Sequence, residues 1–138
     1  MRNLFGETVE TLLPQEEAGL SNSGSEFNIF ALTDAIGRRN KREAWMIYRK
    51  ALASGMVAEE IFYRIFWQIK IMLLASKTKS ADEADIKVFP YNKAKSNLKN
   101  FTTLELTNLS TNLVQGYHEI RRGNKEMETF LEKTILGL

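Results

Sequence analysis

Cysteine is absent from the 138 residues, which excludes disulfides and every thiolate metal site or nucleophile. Histidine occurs once, at position 118, so a multi-histidine zinc site is excluded and a Ser-His-Asp triad has a single candidate imidazole. Two prolines and 8 scattered glycines disfavour a turn-rich β architecture and leave room for long helices. No two glycines stand one residue apart and none precedes a lysine, so the usual phosphate-cradling loops for ATP or dinucleotides cannot be built, and no cofactor is expected. Long apolar runs are also missing. The greasiest stretch, residues 61–75, carries Arg64, Gln68 and Lys70 and is too short and too charged to span a bilayer. Near the start, Glu7 and Glu10 interrupt what would be a signal core, and the cytoplasm is the expected location. Neither charge dominates: 19 basic residues face 17 acidic ones, so electrostatic arguments must be local.

What remains is an ordinary globular composition, 43% hydrophobic and 26% charged, of single-domain size. Apolar residues recur at helical spacing from end to end, and no segment alternates convincingly with period two. Leu4, Phe5, Val9, Leu12 and Leu13 predict a short amphipathic helix closed by Pro14. Residues 14–28 read as a flexible linker, which divides the chain into a helix-plus-linker appendage over 1–27 and a helical domain over 28–138. In that domain the first helix is expected over 29–39. The second starts after Asn40, with Glu43 three residues on in capping-box fashion, and ends at Gly55. A third helix, about 57–76, is apolar nearly all round and is expected to be a central post or to touch another chain.

Ser80 and Glu83 open a short turn. Pro90 is the expected first residue of a fourth helix carrying Tyr91, Ala94, Leu98 and Phe101. Thr102 and Glu105 open a long helix that Gly123 stops, and Asn124 is expected to cap the last one, striped by Met127, Phe130, Leu131, Ile135 and Leu138. The fold class is all-α, a compact bundle of five to six helices.

The chemistry available to such a bundle is thin. His118 beside Glu119 reads either as a general base, which would make the chain a helical hydrolase, or as an ordinary surface histidine. The carboxylate pairs Glu16-Glu17, Glu59-Glu60 and Asp82-Glu83 are neighbours in sequence, so on a helix they diverge and make poor acid/base dyads; Glu59 and Glu60 suit a helix N-terminus. Arg38, Arg42, Trp45 and Arg49 lie at offsets of 4, 7 and 11, a stripe that suits a phosphate backbone or a base and equally a solvated face with Trp45 turned inward. Lys87, Lys93, Lys95 and Lys99 read as a solvated surface or a basic patch. Arg121, Arg122 and Lys125 flank Gly123, where cations also favour a helix C-terminus. Tyr63, Trp67, Ile71 and Leu74 on the third helix, with Phe130 on the last, are the candidate subunit interface, because a small bundle hides only part of so wide an apolar surface.

The order of segments carries a resemblance. The run NIFALTDAIGRRNKREAW (28–45) precedes an apolar helix and a Phe-Pro-Tyr turn leading into Lys93–Phe101. A long helix ending in Arg-Arg-Gly (121–123) and the closing ETFLEKTILGL (128–138) follow. Together they resemble the C-terminal domain of the delta subunit of the bacterial DNA polymerase III clamp loader, with Phe30, Leu32, Asp34, Ala35, Leu131 and Glu132 as the most specific matches.

The resemblance implies an inactive relative of the AAA+ ATPases whose helical C-terminal domain joins delta-prime and the gamma/tau subunits in a collar. It implies that the N-terminal portion, which opens the sliding clamp, is not in this sequence, and that residues 4–14 are the tail of a lid domain. It also implies a domain without catalysis of its own, in a bacterial cytoplasm. Arg121 and Gly123 match a Lys-x-Gly-like position near primed DNA, whereas Tyr117 stands where the family often has an acidic residue and segment 77–88 is shorter than usual. A small helical nucleic-acid-binding module using the Arg38–Arg49 stripe is the alternative function.

Overall fold

The computed structural model describes residues 28–138; the helix expected over 4–13 and the linker over 14–27 lie outside the described residues. The described residues form seven α-helices and no strand, as the periodicity requires. They are α1 (Ile29–Gly37), α2 (Lys41–Ala53), α3 (Ala58–Ser76), α4 (Ala81–Ala84), α5 (Val88–Asn97), α6 (Thr103–Arg121) and α7 (Met127–Leu136), with a 3-10 turn, Leu98–Asn100, between α5 and α6.

The central post is real. α3 packs against α1, α4, α5, α6 and α7, and α2 closes the bundle by packing on α1 and α7. Its all-round apolar sequence follows from that position, since each face meets a different helix. Ile61, Phe62, Ile65, Ile69 and Met72 are fully enclosed, together with Ile29, Leu32 and Ile36 from α1 and Leu106, Leu113, Leu131 and Ile135 from the last two helices. Tyr48, the bulkiest wholly enclosed side chain, donates its hydroxyl to the Glu128 carbonyl at 3.2 Å and ties α2 to α7. Burial first, then Glu132, pushes its phenol up to about 12. One charged side chain, Arg64, is also buried; desolvation pulls its guanidinium down to about 10, and the group sits 5.6 Å from the Phe30 ring centre.

Local signals placed most helix ends. Thr102 and Glu105 form a complete reciprocal capping box, with Glu105 N–H donating to the Thr102 hydroxyl and Thr102 N–H to the Glu105 carboxylate. The other two expected boxes close only halfway. Asn40 and Ser80 each accept from the N–H three residues on. The Asn40 N–H instead donates to the Ala35 carbonyl, and the Glu83 carboxylate accepts from Lys79 N–H. Gly55 and Gly123 take φ values of 98° and 85°, the left-handed conformation that ends a helix.

Two expectations are corrected. Pro90 is the third residue of α5, not the first; this costs no backbone bond because first-turn N–H groups have no intrahelical acceptor. Asn124 does not cap the last helix, whose N-cap is Glu126. It folds back on α6, donating its N–H to the Glu119 carbonyl and its amide to the Glu119 carboxylate at 2.8 Å.

Candidate functional site

The two arginine-bearing corners come first. Between α1 and α2 the backbone turns on Arg39, at φ 60°, a conformation unfavourable for a residue with a Cβ. The turn sends Arg39 inward, with Nη1 and Nη2 donating to the Glu105 carboxylate at 2.9 and 3.1 Å. Nη1 also donates to the Asn100 carbonyl at 3.0 Å, and the guanidinium lies 4.7 Å from the Phe101 ring centre. This fork, followed by the backbone N–H of Thr102, holds the Glu105 carboxyl down at about 2. Asn100 completes the joint by donating its amide to the Gly37 carbonyl at 2.9 Å. Nothing in sequence spacing announced this cluster, because its partners are more than sixty residues apart.

The expected stripe is only partly assembled. Arg38 is drawn to Glu43 at 3.0 Å and Arg49 to Glu132 at 3.8 Å, while Arg42 is exposed. Trp45 is half-buried, with its ring 5.7 Å from Tyr48 and the Arg49 guanidinium 5.6 Å away on the other side. Acidic neighbours in the chain thus already occupy two of the three guanidinium groups. The lysines of α5 divide similarly. Lys95 donates to the carbonyls of Ala75 and Thr78, both at 2.7 Å, and so closes the C-terminus of α3. Lys93 meets Asp34 at 2.7 Å. Both stay exposed, as a solvated surface requires, while their ammonium groups make these contacts.

At the second corner all three expected cations are exposed. Arg121 donates to the Tyr117 hydroxyl at 3.0 Å, and Tyr117 is 3.2 Å from the Tyr63 hydroxyl. Burial, followed by the Tyr117 bond, pushes the Tyr63 phenol up to about 12. Arg122 pairs with Glu119 at 3.3 Å. The Asn124 bond, with Arg122 second, holds the Glu119 carboxyl below its usual range. Lys125 lies 5.8 Å over the Phe130 ring.

Behind this corner residues of α6 and α7 line an open groove of about 660 Å³. Its lining includes Leu109, Gly116 and Phe130. Gly116 has a specific reason to be glycine: a Cβ there would collide with the Phe130 ring. His118 is exposed and stands on the groove wall, and the neighbouring Glu119 is engaged by Asn124 and Arg122. No group of three or more potential metal ligands occurs among the described residues.

The apolar candidates separate. Ile71 is only 3% exposed and belongs to the core, so it offers no surface to another chain, a correction to its expected place. Tyr63, Trp67, Leu74 and Phe130 are half-buried, Tyr63 and Phe130 being drawn into an aromatic cluster around Phe62, with ring centres 5.7 and 6.4 Å from it. Sequence reasoning missed the most exposed large apolar side chains, Phe89 (73%) and Leu104 (69%). Each stands in the first turn of its helix, and periodicity alone does not distinguish an outward first turn from an inward one.

Among the described residues no helix is long and apolar enough to cross a membrane. Comparison with curated proteins and with solved structures gave no match. A family model does match, over residues 26–138, which is most of the chain and includes every helix above. The chain belongs to the family of the DNA polymerase III delta subunit, C-terminal domain.

Proposed function

We propose that residues 28–138 are the assembly domain through which a delta subunit takes its place in the collar of the clamp loader, the machine that sets the sliding clamp on primed DNA. Residues 1–27 would then be the end of a preceding lid domain and its linker. The partners are the gamma/tau and delta-prime subunits in a bacterial cytoplasm. The domain contributes contact surface to the complex and no chemistry of its own. The observation that carries this reading is the family match across all seven described helices. The arrangement of side chains supports it in two ways. Half-buried and exposed apolar groups (Trp67, Leu74, Phe89, Leu104) remain on a finished bundle, as interfaces require. The lone histidine stands in an open, basic groove beside a carboxylate already engaged by two other groups, which is poor ground for acid/base catalysis.

The alternative, a nucleic-acid module built on Arg38, Arg42, Trp45 and Arg49, is disfavoured by the ion pairs to Glu43 and Glu132, which a phosphate would have to displace. Size-exclusion chromatography of the chain with purified gamma/tau and delta-prime tests the assignment. Co-elution as a hetero-oligomer is the expected result. Failure of both this chain and the full-length subunit to associate overturns it, and tight, steeply salt-dependent binding to primed DNA without subunit association would favour the alternative.

A further inference from the structure

We propose that the groove between α6 and α7 is a docking site for an acidic amphipathic helix of a partner protein. The proposal rests on the collar reading and names the surface and the chemistry through which one contact of that assembly is made. The groove is built for an elongated occupant: its lining runs along α6 from Leu109 to Arg122, about 20 Å at the 1.5 Å rise of a helix. At Gly116 the missing side chain lets the Phe130 ring of α7 lie directly against the α6 backbone, which fixes how the two helices meet along the groove.

Charge decides the class of occupant. Arg122, Lys125 and Lys133 border the groove against the single acidic side chain Glu119, which Arg122 and Asn124 already satisfy. Lys125 and Lys133 thus present positive charge along a lining in which Leu109 and the Phe130 ring are the large apolar side chains and Asn112, Gln115, His118 and Thr134 are polar. A phosphodiester strand would satisfy the lysines and leave Leu109 and Phe130 without an apolar partner. A helix with carboxylates flanking an apolar stripe satisfies both, which is the helix-in-groove mode of recognition with complementary charge.

Lys125→Glu/Lys133→Glu reverses the rim without touching the core, since both side chains are exposed. The variant is compared with a Lys41→Glu/Lys79→Glu control, which moves the net charge equally at exposed positions outside the groove lining. Affinity for purified gamma/tau and delta-prime is measured together with binding to a primer-template oligonucleotide, and circular dichroism verifies the helix content of both variants. The expected result is a roughly tenfold or larger loss of subunit affinity in the groove variant alone. In parallel, p-benzoyl-phenylalanine placed at the exposed groove residue Asn112 is photolysed in the assembled complex. The crosslinked peptide should be a partner helix with at least two carboxylates on one face. Unchanged subunit affinity, a crosslink to a basic or non-helical segment, or a loss confined to DNA binding overturns the docking site and leaves the collar assignment standing. Absence of any association by both the unsubstituted chain and the full-length subunit overturns both.

Discussion

Two corners of this chain are written almost alike, Arg38-Arg39-Asn40 and Arg121-Arg122-Gly123-Asn124, and the structure uses them oppositely. In both, one residue must enter the left-handed conformation to break the helix. At the first corner that residue is Arg39 itself, and the turn aims its side chain into the joint between α1, the 3-10 turn and α6. At the second, Gly123 takes the strained position without steric cost, and both arginines stay on the outer surface of α6. The same residue type is therefore a structural clasp in one place and a surface cation in the other. What separates them is which residue turns, together with the presence of Glu105 within reach of one and not of the other.

The comparison breaks most visibly at glycine. Gly116→Ala inserts a methyl group where the Phe130 ring stands, and urea denaturation should show a loss of about 1–3 kcal/mol. Gly123→Ala forces a Cβ into the left-handed region where space is otherwise open, and its cost should be about 1–2 kcal/mol by the same measurement. If Gly123→Ala proves neutral, the contrast drawn between the corners loses its basis. Arg39→Lys keeps the charge and loses the fork and the planar stacking on Phe101, and should lower the thermal midpoint measurably, whereas Arg121→Lys should leave it within error.

Acid sharpens the contrast further. The Glu105 carboxyl is held at about 2 against an ordinary 4.5, so the stability it supplies is complete above about pH 4.5 and is lost as pH falls towards 2. A Glu105→Gln variant should show a flatter stability profile across that window, measured by urea midpoints at stepped pH. The smallest effect belongs to Arg122→Ala, whose exposed pair with Glu119 is worth about 0–1 kcal/mol. Thermal melts should hardly register it.

The bundle was readable from spacing alone because its signals are local. An apolar stripe at offsets of three and four, a Thr–Glu capping box and a glycine past a helix end each act within about one helical turn. The half-formed boxes at Asn40 and Ser80 show where such reading stops. The N-cap bond needs only the backbone N–H three residues on and formed, while the return bond, which needs the side chain there, was lost to a competing partner, Ala35 at one box and Lys79 at the other. Lys95 shows the same limit at longer range: its letter is that of a surface lysine, and its role was set by carbonyls of another helix.

The sequence by itself determined an all-helical domain, the positions of its helix starts and stops to within a few residues, the apolar central post and the family to which it belongs. Tertiary structure alone decided that Ile71 is interior while Trp67 is only half-covered, that Arg39 is a clasp, and that residues of α6 and α7 line one basic groove. The physical reason is range. Helix propensity and capping are settled between neighbours in the chain, whereas burial and ion pairing depend on which distant segment packs alongside, and a helix apolar on every side carries no local mark of which face will be covered.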